Sequence, residues 1–324
     1  MVENNEHLYR VIKDGKTGFI NSKGQIVIDI ELDGASSFSE GLAKFFVDYK
    51  VGFIDMKGNI VIEPIFDNAS DFSEGCAVVT IENKCGYINT IGEVVIPPIF
   101  QSASHFKNGI APVRQEGQTG LLINKTGQII FNDKEILDFG IYNEGLINCN
   151  KNGSWGHINL DGEFVIPPSY KHTLKFSEGQ ASVTPKKDIS GNSNRKNLSG
   201  FINKRNEMII PPIFYGLDMC FSEGFCVVWD HKLFGYINET GTLISSYEFE
   251  VAEPFKEGLA AFKVPGKNKK HGYLDIFGNV AIDPIYTFAD SFENGLACVI
   301  IGKDDKSKCG FIDKNGNYVW EPTS

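Results

Sequence analysis

In a recurring aromatic-x-Glu-Gly motif, glutamate stands before glycine at Glu40, Glu74, Glu144, Glu178, Glu223 and Glu257, the nearest thing in this chain to an array of acids. Paired carboxylates could work as general acid and base, or hold a cation or a sugar. Acid and base roles require two unlike environments, however. These glutamates share one local sequence, so the expectation is a set of equivalent, solvated turn residues without catalytic work.

Other chemistry is scarce. Cys76, Cys85, Cys149, Cys220, Cys226, Cys298 and Cys309 include no C-x-x-C pair, and His7, His105, His157, His172, His231 and His271 are dispersed. No zinc set is expected, and the thiols read as small buried hydrophobes of a reducing cytosol. Asp14-Gly15-Lys16-Thr17 lacks the P-loop's earlier glycine, since Arg10 stands there. Gly191-Asn192-Ser193-Asn194-Arg195 ends on Arg where a nucleophile elbow needs Gly. No cofactor and no catalytic residue is therefore expected, and Trp155, Trp229 and Trp320 read as packing residues.

A net charge of −10 supplies no field for nucleic acid. Residues 1–7 lack the basic and apolar regions of a secretory signal, and no run of apolar residues is long enough to cross a bilayer. A cytoplasmic protein without membrane insertion is expected. Against this acidic background three segments are basic: 184–199, 264–271 and 302–308. Lys186, Lys187, Arg195, Lys196, Lys267, Lys269 and Lys270 are the expected contacts to an anionic partner surface.

The elements that must position these residues follow from self-similarity. Gly followed by an aromatic and Ile or Leu recurs at Gly18, Gly52, Gly86, Gly200, Gly235, Gly272 and Gly310, with looser copies at Gly120 and Gly156. These glycines lie 34 to 44 residues apart, a repeat period. A second motif, Phe38-Ser39-Glu40-Gly41 in its first copy, follows each Gly-aromatic motif after 23 to 25 residues, whereas the distance onward to the next copy runs from 11 to 21. The constant interval is structural and the elastic one is a surface loop.

After the second motif comes an alternating strand in which Ala43 and Phe45, or Ala77 and Val79, share a face. The Gly-aromatic strand follows, then Asn or Asp with Gly three positions on (Asn21 and Gly24, Asp55 and Gly58), which predicts a hairpin. A third strand such as Ile60-Val61-Ile62 is predicted to stop at Pro64, Pro98, Pro168 or Pro212. The fold class is all-β: residues 1–324 form one continuous domain of nine three-stranded antiparallel meanders. The ends leave no strand to share between first and last repeats, which favours an open stacked or superhelical array over a closed propeller-like ring.

The period resembles that of the bacterial WG-repeat, or KWG-repeat, family. Ser154-Trp155-Gly156-His157-Ile158-Asn159 carries the name-giving Trp, and the other copies hold Thr17, Val51, Cys85, Thr119, Ser199, Phe234, His271 and Cys309 there, as a divergent member would. The resemblance implies a repeat scaffold and brings no catalytic residues. The expected function is a non-catalytic scaffold that binds protein or peptide through an extended surface. The alternatives are a carbohydrate or cell-envelope binding module and, third, a carbohydrate-active enzyme.

Overall fold

The computed structural model describes residues 7–186, 197–215, 219–266, 269–302 and 307–323. Among them the regular structure is all β-strand, and no helix is long and apolar enough to cross a membrane. Each repeat opens at the Phe-x-x-Gly turn and runs through a first strand (Leu42–Val47), a second with the Gly-aromatic motif (Lys50–Asp55) and a third (Ile60–Phe66). Nine such antiparallel meanders lie in eight sheets, each with a linear strand order, so none closes into a barrel.

The connectors add more structure than the sequence pattern predicts. Asn68–Ala69 pairs with the next repeat's first strand, Cys76–Ile81, as a short fourth strand. Ser102–Ala103, Val251–Ala252 and Phe288–Ala289 do the same. In one place the connector is unbroken. Phe164–Thr173 ends one meander and begins the next, fusing two into a seven-stranded sheet.

The third strand also passes through its proline rather than stopping there. Ile60–Phe66 contains Pro64 and Val94–Phe100 contains Pro97 and Pro98. The reason is position. Each is the last strand of its sheet, with a bulge in its pairing, so the missing N–H breaks no ladder and spoils the exposed edge as a template for another chain. The bulge explains the motif glycine as well: a Cβ on Gly52 would lie 2.5 Å from the Ile62 carbonyl oxygen and 2.7 Å from the Pro64 nitrogen.

The core lies between consecutive sheets. Phe53, Phe66 and Phe72 form one cluster with Ala77, Val79 and Ile88 of the next repeat. Aromatics of the second strands meet the Phe of the following turn: Phe19 with Phe38 at 4.7 Å, Phe53 with Phe72 at 4.8 Å, Phe201 with Phe221 at 4.9 Å. Burial between nearest neighbours is the energetic pattern of a repeat protein. The chain forms two compact units, residues up to Glu135 and Ile136–Pro322. The division falls where the repeat is weakest: Leu121 replaces the aromatic, and the third strand is only Ile129–Asn132.

Candidate functional site

The glutamates are the first candidates. Glu40 and Gly41 have φ of 51° and 81°, and Ser39 and Leu42 exchange both backbone hydrogen bonds, so each Glu-Gly is a two-residue hairpin turn of the type I′ class. Glutamate in the left-handed region is unusual, and its side chain shows what offsets the strain. The Glu40 carboxylate accepts from the amides of Glu74 (2.6 Å) and Gly75 (2.8 Å) in the following repeat. Glu74 accepts in turn from Asn108 and from Gly109 (2.8 Å), and Glu223 from Glu257 (2.6 Å) and Gly258 (2.8 Å). Glu144, Glu178 and Glu257 grip Gly179, Gly224 and Gly295.

The serine before Glu40, Glu74, Glu178 and Glu223, and Asn143 before Glu144, strengthen the connection. Ser39 donates to the Phe72 carbonyl at 2.8 Å and Ser222 to that of Phe255 at 2.7 Å. Lys125, Lys204 and Lys314 pair with Glu74, Glu144 and Glu257 at 3.0–3.3 Å. Burial alone would push the Glu74 carboxyl up, but the Gly109 and Asn108 amides and Lys125 bring it below the ordinary value of 4.5. The turn series ends on Asn108 in one unit and Asn294 in the other, a residue that tolerates the left-handed region, at the last such turn of its unit. The acids thus form an inter-repeat ladder, where the sequence suggested independent solvated turns.

The histidines and cysteines form no metal cluster: among the described residues no group of three or more His, Cys, Asp or Glu side chains could hold a metal. His157 stands where Tyr87, Tyr236 and Tyr273 stand in three other repeats and Phe in four. Its Nε2 lies 2.8 Å from the Leu174 carbonyl, as the hydroxyls of Tyr87, Tyr236 and Tyr273 donate to carbonyls 17 residues on. Burial pushes its pKa down to about 4.

The hairpin between first and second strands, where repeat length varies, carries the expected basic residues. Lys186 donates to the Ser154 hydroxyl, Lys269 pairs with Glu250 at 2.7 Å, and the Lys270 carbonyl accepts from Val264. Lys187, Arg195, Lys196 and Lys267 lie outside the described residues.

On the same hairpin edge, in the unit Ile136–Pro322, lies a cleft of about 880 Å³. Its wall is an aromatic row across adjacent strands: Tyr215 bridges Trp229, and Trp229 pairs with Phe234. The His231 ring lies 3.6 Å from Tyr215 and stands edge-on to Trp229 at 4.9 Å, while Trp229 and Phe234 stack at 6.2 Å. Met219 is buried at the cleft, and Lys171 reaches it, donating to the Asn197 amide oxygen at 2.6 Å. His231 is held at φ 83°, a rare backbone state for a non-glycine residue, by a turn in which Asp230 caps the amides of Lys232 and Leu233.

Trp229 and Tyr215 are half-buried walls of this cleft, where the sequence made Trp229 a packing residue. A signal was available in the repeat itself. The position of Trp229 holds Thr80, Arg114, Asn150, Thr184 and Lys263 in five copies, against Ile12, Phe46 and Ile300 in three, and that of Tyr215 holds Asp67, Gln101 and Lys171. Two aromatics at usually polar positions of one repeat, beside Thr184 and Ser199 in the preceding one, place large side chains next to small ones.

Comparison with known proteins agrees with the repeat. The family described as "WG containing repeat" matches residues 18–50, 52–85, 86–118, 155–184, 200–228, 234–267 and 272–303. No curated protein matches the chain. Among solved structures, a eukaryotic initiation factor is similar over 98% of this chain and 96% of its own, with a TM-score of 0.65 at 8% identity, a likeness of fold alone. The CRINKLY WD40 ectodomain of the Arabidopsis thaliana receptor kinase ACR4 matches 76% of this chain and 96% of its own at 9% identity, with a TM-score of 0.40. With seven matched copies spread over most of its length, this chain belongs to the WG-containing repeat family.

Proposed function

We propose that the protein is a non-catalytic repeat scaffold that binds a protein or peptide along the edge formed by the hairpins between first and second strands. The observation that carries this reading is the aromatic cleft, which opens on the edge where loop length varies from repeat to repeat. Loops on a rigid framework are where repeat proteins vary their recognition. The ladder glutamates support the non-catalytic part, because each carboxylate is engaged by the amides of the next turn. The reading includes a reducing cytoplasm as the working compartment, supported by an odd set of seven cysteines without a C-x-x-C pair.

The test is selection of peptides from a displayed random library on the immobilised full chain, followed by affinity measurement with the purified protein. Recovery of peptides that share a motif and bind with micromolar Kd or better is the expected result. A library that enriches nothing over a blank surface would contradict the reading.

A further inference from the structure

We propose that the cleft takes an extended peptide which packs an aromatic side chain against the wall formed by Tyr215, His231, Trp229 and Phe234 and sets an acidic residue against Lys171. This deepens the scaffold reading and rests on it. A volume of about 880 Å³ lies within the range of ligand sites and exceeds what one side chain fills, so several residues of an extended chain fit.

The nature of the anchor follows from the rings. Tyr215, just past the strand Met208–Phe214, bridges Trp229, which pairs with Phe234 on the next strand, and His231 is tilted 43° to Tyr215 and 71° to Trp229. His231 against Tyr215, and Phe234 stacked on Trp229, leave a set of mutually inclined walls rather than one flat platform. A pyranose binds best across an open ring face. An incoming aromatic ring, by contrast, gains from inclined neighbours, since edge-to-face and offset contacts are the favoured geometries. Met219 at the cleft adds a polarisable sulfur that adapts to such a ring.

Charge selects what flanks the anchor. Lys171 is exposed, and its ammonium is held at the cleft by the Asn197 amide oxygen, where it can meet a carboxylate. On a chain of net charge −10 this local cation sets the orientation of an acidic neighbour rather than drawing acidic peptides to the whole surface. The strained His231 belongs to the same design: its φ of 83° is maintained by the Asp230 cap and keeps the imidazole over Tyr215.

The experiment uses the full chain and four dye-labelled heptapeptides of otherwise Gly and Ser, with centres Asp-Trp, Lys-Trp, Asp-Ala and Lys-Ala, read by fluorescence anisotropy, with cellobiose as competitor. Asp-Trp is expected to bind roughly tenfold more tightly than Asp-Ala, and several-fold more tightly than Lys-Trp at low salt, the latter gap closing as salt rises. Trp229→Thr, which restores the residue found at Thr80 and Thr184, should abolish the preference for Trp, and Lys171→Gln the preference for Asp. Equal binding of Asp-Trp and Asp-Ala, displacement by cellobiose, or an unchanged preference in Trp229→Thr would overturn the proposal. Library peptides that bind wild type and Trp229→Thr equally would leave the scaffold reading standing while removing the cleft from it.

Discussion

Replacing Glu74 separates the two opposed energies of the ladder. Its carboxylate accepts from the Asn108 and Gly109 amides and pairs with Lys125 at 3.3 Å, while its own backbone sits at φ 54°. A hydrogen bond to a charged acceptor contributes about 1.5–3 kcal/mol when buried. The Glu74 side chain is 30% exposed, which reduces each bond to about 1 kcal/mol and leaves the ion pair a few tenths. Glu74→Ala, which keeps the left-handed strain, should therefore destabilise the protein by about 2 kcal/mol. Glu74→Gly loses the same bonds but relieves about 1 kcal/mol of strain, so its net cost is about half as large. Urea unfolding of the full chain ranks the variants, and hydrogen exchange at Asn108 and Gly109 localises the effect, with amide exchange about 30-fold faster in Glu74→Ala. Alanine and glycine variants of equal stability, or unchanged exchange at Asn108 and Gly109, would refute the reasoning.

Other consequences follow from the same geometry. The His157 imidazole titrates at 6.5 when unfolded and at about 4 when folded. Its neutral form is favoured by folding, so stability is complete above pH 6.5 and falls toward pH 4, by about 3 kcal/mol in all. His157→Tyr, the residue of three other repeats, should flatten that part of a pH series of urea midpoints. Glu74 and Glu257 have folded values below 4.5, so their contribution is present above that pH and lost as pH drops through the lower values; Glu74→Gln should weaken the acid limb. Gly52→Ala, whose Cβ meets backbone atoms, should cost about 3 kcal/mol by thermal or urea unfolding, whereas Gly41→Ala points into open space and should cost only about 1 kcal/mol for its positive φ. The Cys298 and Cys309 sulfurs lie 3.0 Å apart on paired strands, so glutathione disulfide should link this pair before other thiols, as peptide mass mapping would show.

Much of the fold could be read from local chemistry. Asn21 with Gly24, and Asp55 with Gly58, form the predicted hairpins, the side-chain oxygens capping amides two and four residues on. Ala43, Ala77, Phe45 and Val79 are buried on the face that their alternation assigns. Pro64 misled because its effect depends on strand position: at a sheet edge with a bulge it interrupts nothing. The ladder was hidden for another reason. Glu40 and the Gly75 amide are 35 residues apart, and a bond between repeats leaves no mark in either repeat's local pattern. Trp229 reads as a packing residue when taken singly, and only comparison of equivalent positions, polar in most copies, distinguishes it and Tyr215.

The central claim is that binding occurs at the hairpin edge beside the aromatic cleft. Hydrogen–deuterium exchange of the full chain, alone and saturated with the tightest library-selected peptide, tests it most directly. Protection is expected on Phe225–Trp229, Phe234–Asn238 and the Lys171–Thr173 part of the fused strand, with the Glu-Gly turns unchanged. Protection confined to the Glu-Gly turns or to third strands such as Ile60–Phe66 would contradict it.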